Sequence, residues 1–271
     1  MKDIIYEKFS LSGKVIVLTG SAGRVGSRFS EVLSAAGANV ILVDLDSEKN
    51  KKLEKSLKQK YSVKPFAINC DITVPSEVKK LVKKILQKYK KIDGLINNAH
   101  FVPRDHPQKD TPFESYPFEL WDNSVTANHR GLFLCSKEIG KIMLKQKKGV
   151  IVNISSIYGI TGPDQRIYDK SGLNSPPFYS FTKGGMVNFT RYLASYWHGK
   201  NIRVNTLTIG GIFDKKLHTN KKFVKNYAEK TIIGRMSTKE DYDGAIVFLM
   251  SDASRYMTGA NLIIDGGWSA W

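Results

Sequence analysis

The chain has 271 residues, 41% of them hydrophobic, enough to bury a sizeable core in one domain. Its 42 Lys and Arg against 25 Asp and Glu give a formal charge of +17, but the lysines are scattered along helical stretches with no zinc-finger or basic-zipper spacing, which marks a solvated surface and not a nucleic-acid footprint. Two cysteines (Cys70 and Cys135), an N-terminus of mixed charge with no secretory signal, and no apolar run near the roughly 20 residues of a membrane span predict a cytoplasmic protein with no membrane partner.

In chain order, KVIVLT (14–19) is a β-branched apolar run that ends at Gly20 and reads as a strand buried on both faces. GSAGRVG follows (20–26), and residues 25–36 carry helical spacing closed by Gly37. Strand, glycine-rich turn and helix form the context in which backbone approaches a pyrophosphate at a helix N-terminus. NVILVD (39–44) is the second strand. It ends at Asp44, 24 residues after Gly20, near the separation expected of a carboxylate that accepts from both ribose hydroxyls of NAD and repels the 2′-phosphate of NADP. Arg24 is the opposing signal, because an arginine near that ribose would receive the phosphate. The balance favours NAD as cofactor, with NADP the alternative.

Residues 47–60 form a charged helix, 63–69 a third strand closed by Cys70 and Asp71, and 75–89 a helix with proline in its first turn. Residues 92–96 are a fourth strand leading into Asn97-Asn98-Ala99. The stretch 100–116, rich in Pro, Asp and His, reads as a loop at a strand's C-terminal end, a candidate wall of an active site. Residues 118–146 are helical and contain Asn128; VIVNI (150–154) is a fifth strand ending at Ser155-Ser156. After a Gly/Pro/Asp-rich stretch over 159–177 comes a helix carrying Tyr179 and Lys183 on one face. A cation beside a phenol lowers the phenol's pKa from about 10, so this pair is a candidate proton donor and acceptor. Residues 202–207 are a sixth strand, a basic segment to 233 is a candidate lid, 241–250 is a helix and 261–265 a last strand. Strands alternating with helices predict a parallel sheet covered on both faces. The histidines (100, 106, 129, 198 and 218) show no metal-ligand spacing, and no metal is expected.

Taken together, TGSAGRVG (19–26), Asp44, Cys70-Asp71, NNAH (97–100), Asn128, SSIYG (155–159), YSFTK (179–183), IRVNTLTIGG (202–211) and IIDGG (263–267) resemble the short-chain dehydrogenase/reductase family, in the family's order and over almost the whole chain. The resemblance implies an α/β fold: a Rossmann-type three-layer αβα sandwich with a seven-stranded parallel sheet in the order 3-2-1-4-5-6-7. It implies one catalytic domain over 1–271, with substrate loops at about 100–116, 159–178 and 211–233. Hydride transfer to or from a nicotinamide would be matched by proton transfer at the substrate oxygen. Tyr179 would be the general acid/base. Lys183 would hold the ribose hydroxyls and depress the tyrosine's pKa, Ser156 would bond the substrate oxygen, and Asn128 would hold a water relaying protons to Lys183. Gly20, Gly23, Arg24, Val25 and Gly26 would meet the pyrophosphate. Asp44 would take the ribose, Asp71 and Ile72 the adenine, and Asn97, Asn98 and Ala99 the adenosine side. Ile212 would reach the carboxamide, with Tyr179 and Lys183 also touching the cofactor. His100, Tyr158 and Arg166 are candidate substrate residues.

The sequence departs from the family's pattern in places. Arg24 replaces the middle glycine of the shorter branch's fingerprint, His100 stands where glycine is usual, and Ile209 stands where proline is usual. The stretch between Ser156 and Tyr179 is longer than the family ordinarily shows. Its GPDQR (162–166) and NSPP (174–177) resemble a subgroup concerned with bacterial surface sugars. A sugar, phospho-sugar or nucleotide-sugar is the expected substrate, and Arg166, Lys215, Lys216, Lys221 and Lys222 are candidate cations for a phosphate. A 3-oxoacyl-thioester reductase and a non-catalytic NAD-binding regulator are the alternatives. The family also implies a homo-oligomer, dimer or tetramer, packed through residues 118–146 and 179–197.

Overall fold

The computed structural model describes residues 2–103 and 105–271; Met1 and Arg104, the latter within the expected loop 100–116, lie outside the described residues. Seven strands form one sheet: β1 (Val15–Thr19), β2 (Asn39–Asp44), β3 (Phe66–Asn69), β4 (Gly94–Asn97), β5 (Gly149–Ser156), β6 (Ile202–Ile209) and β7 (Asn261–Ile264). All pairings are parallel and the order is β3-β2-β1-β4-β5-β6-β7, as the resemblance implies.

The helices are α1 (Lys2–Phe9), α2 (Arg24–Ala35), α3 (Ser47–Lys60), α4 (Pro75–Tyr89), α5 (Phe118–Gln146), α6 (Pro177–Tyr196), α7 (Lys221–Glu229) and α8 (Asp243–Met250). Alternation along β1 explains the layering. Val15 and Val17 pack on one face with side chains of α4, α5 and α6, while Ile16 and Leu18 pack on the other with α2, α3 and α8. Chemistry-bearing residues therefore gather where the strands end.

Strand boundaries moved for physical reasons. β5 runs through Ser155 and Ser156 because their backbones pair with Thr208 and Ile209 of β6, and a ladder is made by backbone groups whatever the side chain. β3 begins only at Phe66, the first residue with a partner on β2. The helix α1 has no counterpart in the sequence reading. Ile4, Ile5 and Tyr6 on it are exposed, so no apolar periodicity announces it, and it is tied down mainly by Phe9, whose ring lies 6.3 Å from that of Phe248.

The long stretch before α6 and the lid form one cover. It folds into 3₁₀ turns at Gln165–Ser171 and is fastened to α7 and to Lys230 at that helix's C-cap. Lys222 pairs with Asp169 at 2.6 Å, Lys230 with Asp164 at 2.8 Å, Asn226 donates to the carbonyl of Ile167 at 3.2 Å, and Tyr168 stacks on Phe223 with ring centroids 5.4 Å apart.

Candidate active site

A cleft of about 880 Å³ opens at the C-terminal ends of the strands, next to the point where the strand order reverses between β1 and β4. That is the position at which doubly wound sheets hold ligands, and the volume suits a dinucleotide together with a small molecule.

One half of the cleft is built by backbone. Gly20 turns the chain at φ +68°, and a Cβ there would lie 2.8 Å from the Cα of Ala99. A Cβ on Gly26 would lie 2.0 Å from the carbonyl oxygen of Gly20, so helix and turn meet only because both residues are glycine. Gly23 caps α2 with extended backbone and no side chain bonds the helix's first N–H groups, which leaves them for an anion. Arg24 is the first helical residue, where any side chain is allowed, so this place does not demand the missing glycine. Asp44 closes the far end, its carboxylate accepting from the N–H groups of Ala22 (2.9 Å) and Asp46 (3.0 Å). Asp71, Ile72, Asn98, Ala99, Val25 and Ile212 also line the cleft. The glycine turn in the middle and a carboxylate at one end fit a dinucleotide.

One expectation for this half is corrected, and one side chain has an added partner. Asn97 does not line the cleft: its amide donates to Ser136 at 3.1 Å and to Asn153 at 2.8 Å inside the core, and Asn98 is the neighbour that faces the opening. Arg24 is engaged by the lid: its guanidinium lies 3.4 Å from the carboxylate of Asp214, and its charge acts on Tyr179.

The other half carries the proton-handling groups. Ser156 ends β5; Tyr179 and Lys183 project from the first turns of α6, and all three line the cleft. Burial lifts the Tyr179 phenol above its ordinary value, while a hydrogen bond with Ser156 and the positive charge of Arg24 pull the other way. Lys183 is 5% exposed, and burial pulls its ammonium down to about 8. Its Nζ donates to the carbonyl of Ile154 at 2.9 Å and stands 6.0 Å from the centre of the Tyr179 ring. With its ammonium bonded to a carbonyl, Lys183 is not among the groups that lower the phenol here, and burial outweighs those that do.

Asn128 is nearly buried and its side chain serves the backbone. Its amide donates to the carbonyls of Phe101 (3.0 Å) and Ser124 (2.8 Å), and its oxygen accepts from the N–H of Phe101 (2.8 Å). It thus pins the loop after β4 to α5. Both donors are used up in this way, which gives the side chain a different task from the expected water relay.

At the substrate end, His100 meets the edge of Tyr179 (5.1 Å between ring centres) and Tyr158 meets it from another side (6.3 Å). Arg166 does not join them. Its side chain is 83% exposed, paired with Asp164 at 2.7 Å and outside the cleft lining. Lys222 is likewise committed to Asp169, and Lys215, Lys216 and Lys221 are exposed; none of them lines the cleft. Among the described residues, the lysine and arginine side chains lining it are Arg24 and Lys183.

The sequence reading missed a second wall made of Tyr168, Phe223, Tyr227 and His218. Tyr227 bonds the N–H of Gly211 through its hydroxyl and packs 4.6 Å from the ring of Trp268. The available signal was the i,i+4 pair Phe223 and Tyr227 on an otherwise lysine-rich helix, which puts two rings on one face. Among the described residues, no group of three or more His, Cys, Asp or Glu stands together as a metal would need, and no helix is long and apolar enough to cross a membrane.

The family model described as enoyl-(acyl carrier protein) reductase matches residues 20–269. Flagellin modification protein A of Campylobacter coli is 30% identical over 258 residues, covering 95% of this chain and 99% of that protein. The 3-oxoacyl-[acyl-carrier-protein] reductase of Thermotoga maritima is 33% identical over 260 residues, 95% of this chain and 98% of that one. Among solved structures, a short chain dehydrogenase from Leptospira borgpetersenii with bound NAD+ is 34% identical, covers 96% of this chain and 94% of its own, and superposes with a TM-score of 0.81. The chain belongs to the short-chain dehydrogenase/reductase family, oxidoreductases that act on alcohols and ketones with a nicotinamide cofactor.

Proposed function

We propose that the protein is an NAD-dependent dehydrogenase/reductase acting on a hydroxyl or ketone of a sugar or related polyol. The observation that carries this reading is the joining of Ser156, Tyr179 and Lys183 to a cleft end lined by Tyr158, Tyr168 and Tyr227. The nicotinamide, when bound, takes or gives the hydride. Tyr179 takes the proton of the substrate hydroxyl in oxidation and returns it to the carbonyl oxygen in reduction. Ser156 donates a hydrogen bond to that same oxygen and holds it against the phenol. Lys183, freed from Ile154, places its ammonium near the phenol and the cofactor's ribose. Asn128 keeps the wall at Phe101 in place.

Several features bear on the finer points. The Asp44 carboxylate at one end of the cleft, with Arg24 engaged by Asp214, supports NAD over NADP. The cations expected for a phosphate are engaged or exposed elsewhere, which supports an uncharged sugar over a phosphorylated or nucleotide-linked one. The kinship with flagellin modification protein A supports a role in bacterial surface-glycan biosynthesis. The buried free thiols of Cys70 and Cys135 fit the reducing cytoplasm. Exposed rings on α5 and α6 (Phe118, Phe133, Phe181, Tyr192 and Tyr196) support a homo-oligomer through that face.

The relative from Thermotoga maritima keeps a second reading alive, reduction of a 3-oxoacyl thioester. A panel of free sugars and polyols, their phosphates and nucleotide derivatives, and a 3-oxoacyl thioester, followed by NADH absorbance, separates the two. Turnover on a free sugar or polyol is expected. Turnover on the thioester with none on any sugar overturns the proposal.

A further inference from the structure

The one arginine of the glycine-rich turn has a partner across the cleft. Nη1 of Arg24 lies 3.4 Å from Oδ2 of Asp214, and the two side chains are 35% and 27% exposed. Asp214 belongs to segment 210–220 between β6 and α7, where its other oxygen accepts from the N–H of Lys216 at 2.9 Å and its own N–H donates to Nδ1 of His218, also at 2.9 Å. One carboxylate oxygen thus holds the lid's own turn, and the other reaches over to the first turn of α2. A single long contact between partly exposed charges is weak.

The position of that contact matters. It lies at the N-terminus of α2, above a turn whose glycines bring backbone N–H groups to a point and whose helix has no side-chain cap. An anion is favoured there, and the carboxylate in place is a lid residue making one bond where a guanidinium fork can make two. A pyrophosphate carries two charges and several acceptor oxygens, so it outcompetes a lone carboxylate for the same guanidinium. Backbone geometry does not call for an arginine here; its side chain is what the position adds.

We propose that Arg24 exchanges partners, bonding Asp214 in the open cleft and the cofactor's pyrophosphate in the loaded one, so that Asp214 competes internally with the cofactor and its lid segment is released as the cofactor binds. This rests on the reading of the cleft as a dinucleotide site. Asp214 then sets a lower cofactor affinity than the glycine turn alone would have, and couples occupancy of the pyrophosphate site to freedom of the lid.

The test is calorimetric and needs no substrate. The probes are ADP-ribose, which has the pyrophosphate without the nicotinamide, and adenosine, which carries no phosphate. Asp214→Asn keeps an oxygen for the N–H of Lys216 and is expected to tighten ADP-ribose binding about fivefold, while Arg24→Gly weakens it about tenfold. In the Arg24→Gly background, Asp214→Asn is expected to change nothing, and neither variant is expected to alter adenosine binding. Weaker ADP-ribose binding by Asp214→Asn overturns the exchange in favour of a fixed clasp. Equal tightening in both backgrounds overturns it in favour of through-space repulsion. If the parent protein binds neither ADP-ribose nor NADH, the dinucleotide reading itself falls and the exchange with it.

Discussion

The ammonium of Lys183 is bonded to the carbonyl oxygen of Ile154, 2.9 Å away, with no carboxylate among the causes that set its proton affinity. Burial is the cause that remains, and it pulls the group from 10.5 to about 8. A site that uses a cation here holds it at the expense of the fold. At roughly 1.4 kcal/mol per pH unit, the burial costs about 3 kcal/mol at neutral pH.

Lys183→Met removes that charge and keeps the volume. The unsatisfied carbonyl of Ile154 offsets about 1 kcal/mol, leaving the variant more stable by about 2 kcal/mol at pH 7. The folded-state value lies below the unfolded one, so the unfolded chain binds the extra proton between pH 8 and 10.5 and the parent gains stability across that window. The advantage of the variant therefore shrinks as pH rises through it. Thermal unfolding from pH 7 to 10.5 checks this, and a variant no more stable than the parent at pH 7 speaks against a charged, burdened lysine.

Tyr179→Phe removes one oxygen from the proton-handling half and leaves the glycine turn untouched. Turnover on the substrate found by screening is expected to fall about 10²- to 10⁴-fold, while NADH binding stays within about twofold. Steady-state kinetics beside NADH fluorescence separates the two effects. Near-parental turnover removes Tyr179 from the chemistry.

Asp44→Ala is expected to shift the ratio of NAD to NADP affinity toward NADP by at least about tenfold, because a carboxylate repels a 2′-phosphate and alanine does not. The N–H groups of Ala22 and Asp46 lose their acceptor, so a stability loss of about 1–2 kcal/mol accompanies the change. Calorimetry with both cofactors reads the ratio; an unchanged ratio takes the specificity away from Asp44.

Asn128→Ala leaves the N–H and C=O of Phe101 and the carbonyl of Ser124 without their partner, and is expected to cost about 2–3 kcal/mol. Asn128→Asp keeps the bond from Phe101 but sets a carboxylate oxygen against the carbonyls of Phe101 and Ser124, so its cost is at least that of alanine. Hydrogen exchange at the amide of Phe101 is expected to speed up in the alanine variant and stay protected in the aspartate one. Equal protection in all three shows that the loop is held by something else.

The architecture is written in local patterns. Buried β-branched runs such as VIVLT and NVILVD, the glycines of 20–26 and the helical spacing between strands are local patterns, and they led to the sheet order through one family resemblance. The positions of Ser156, Tyr179 and Lys183 were legible for the same reason: strand ends and the first turns of α6 face one cleft in this topology. Tertiary structure alone decided what the charged groups do. Arg166 lies inside the expected loop, but the nearby carboxylate of Asp164 takes it out to solvent; Arg24 lies inside the fingerprint, but a residue 190 positions away takes it to the lid. Side-chain partners depend on which distant backbones meet, and no local pattern encodes that. The balance between Lys183 and Tyr179 follows the same rule, because burial depends on everything packed above a group and not on the four residues between them.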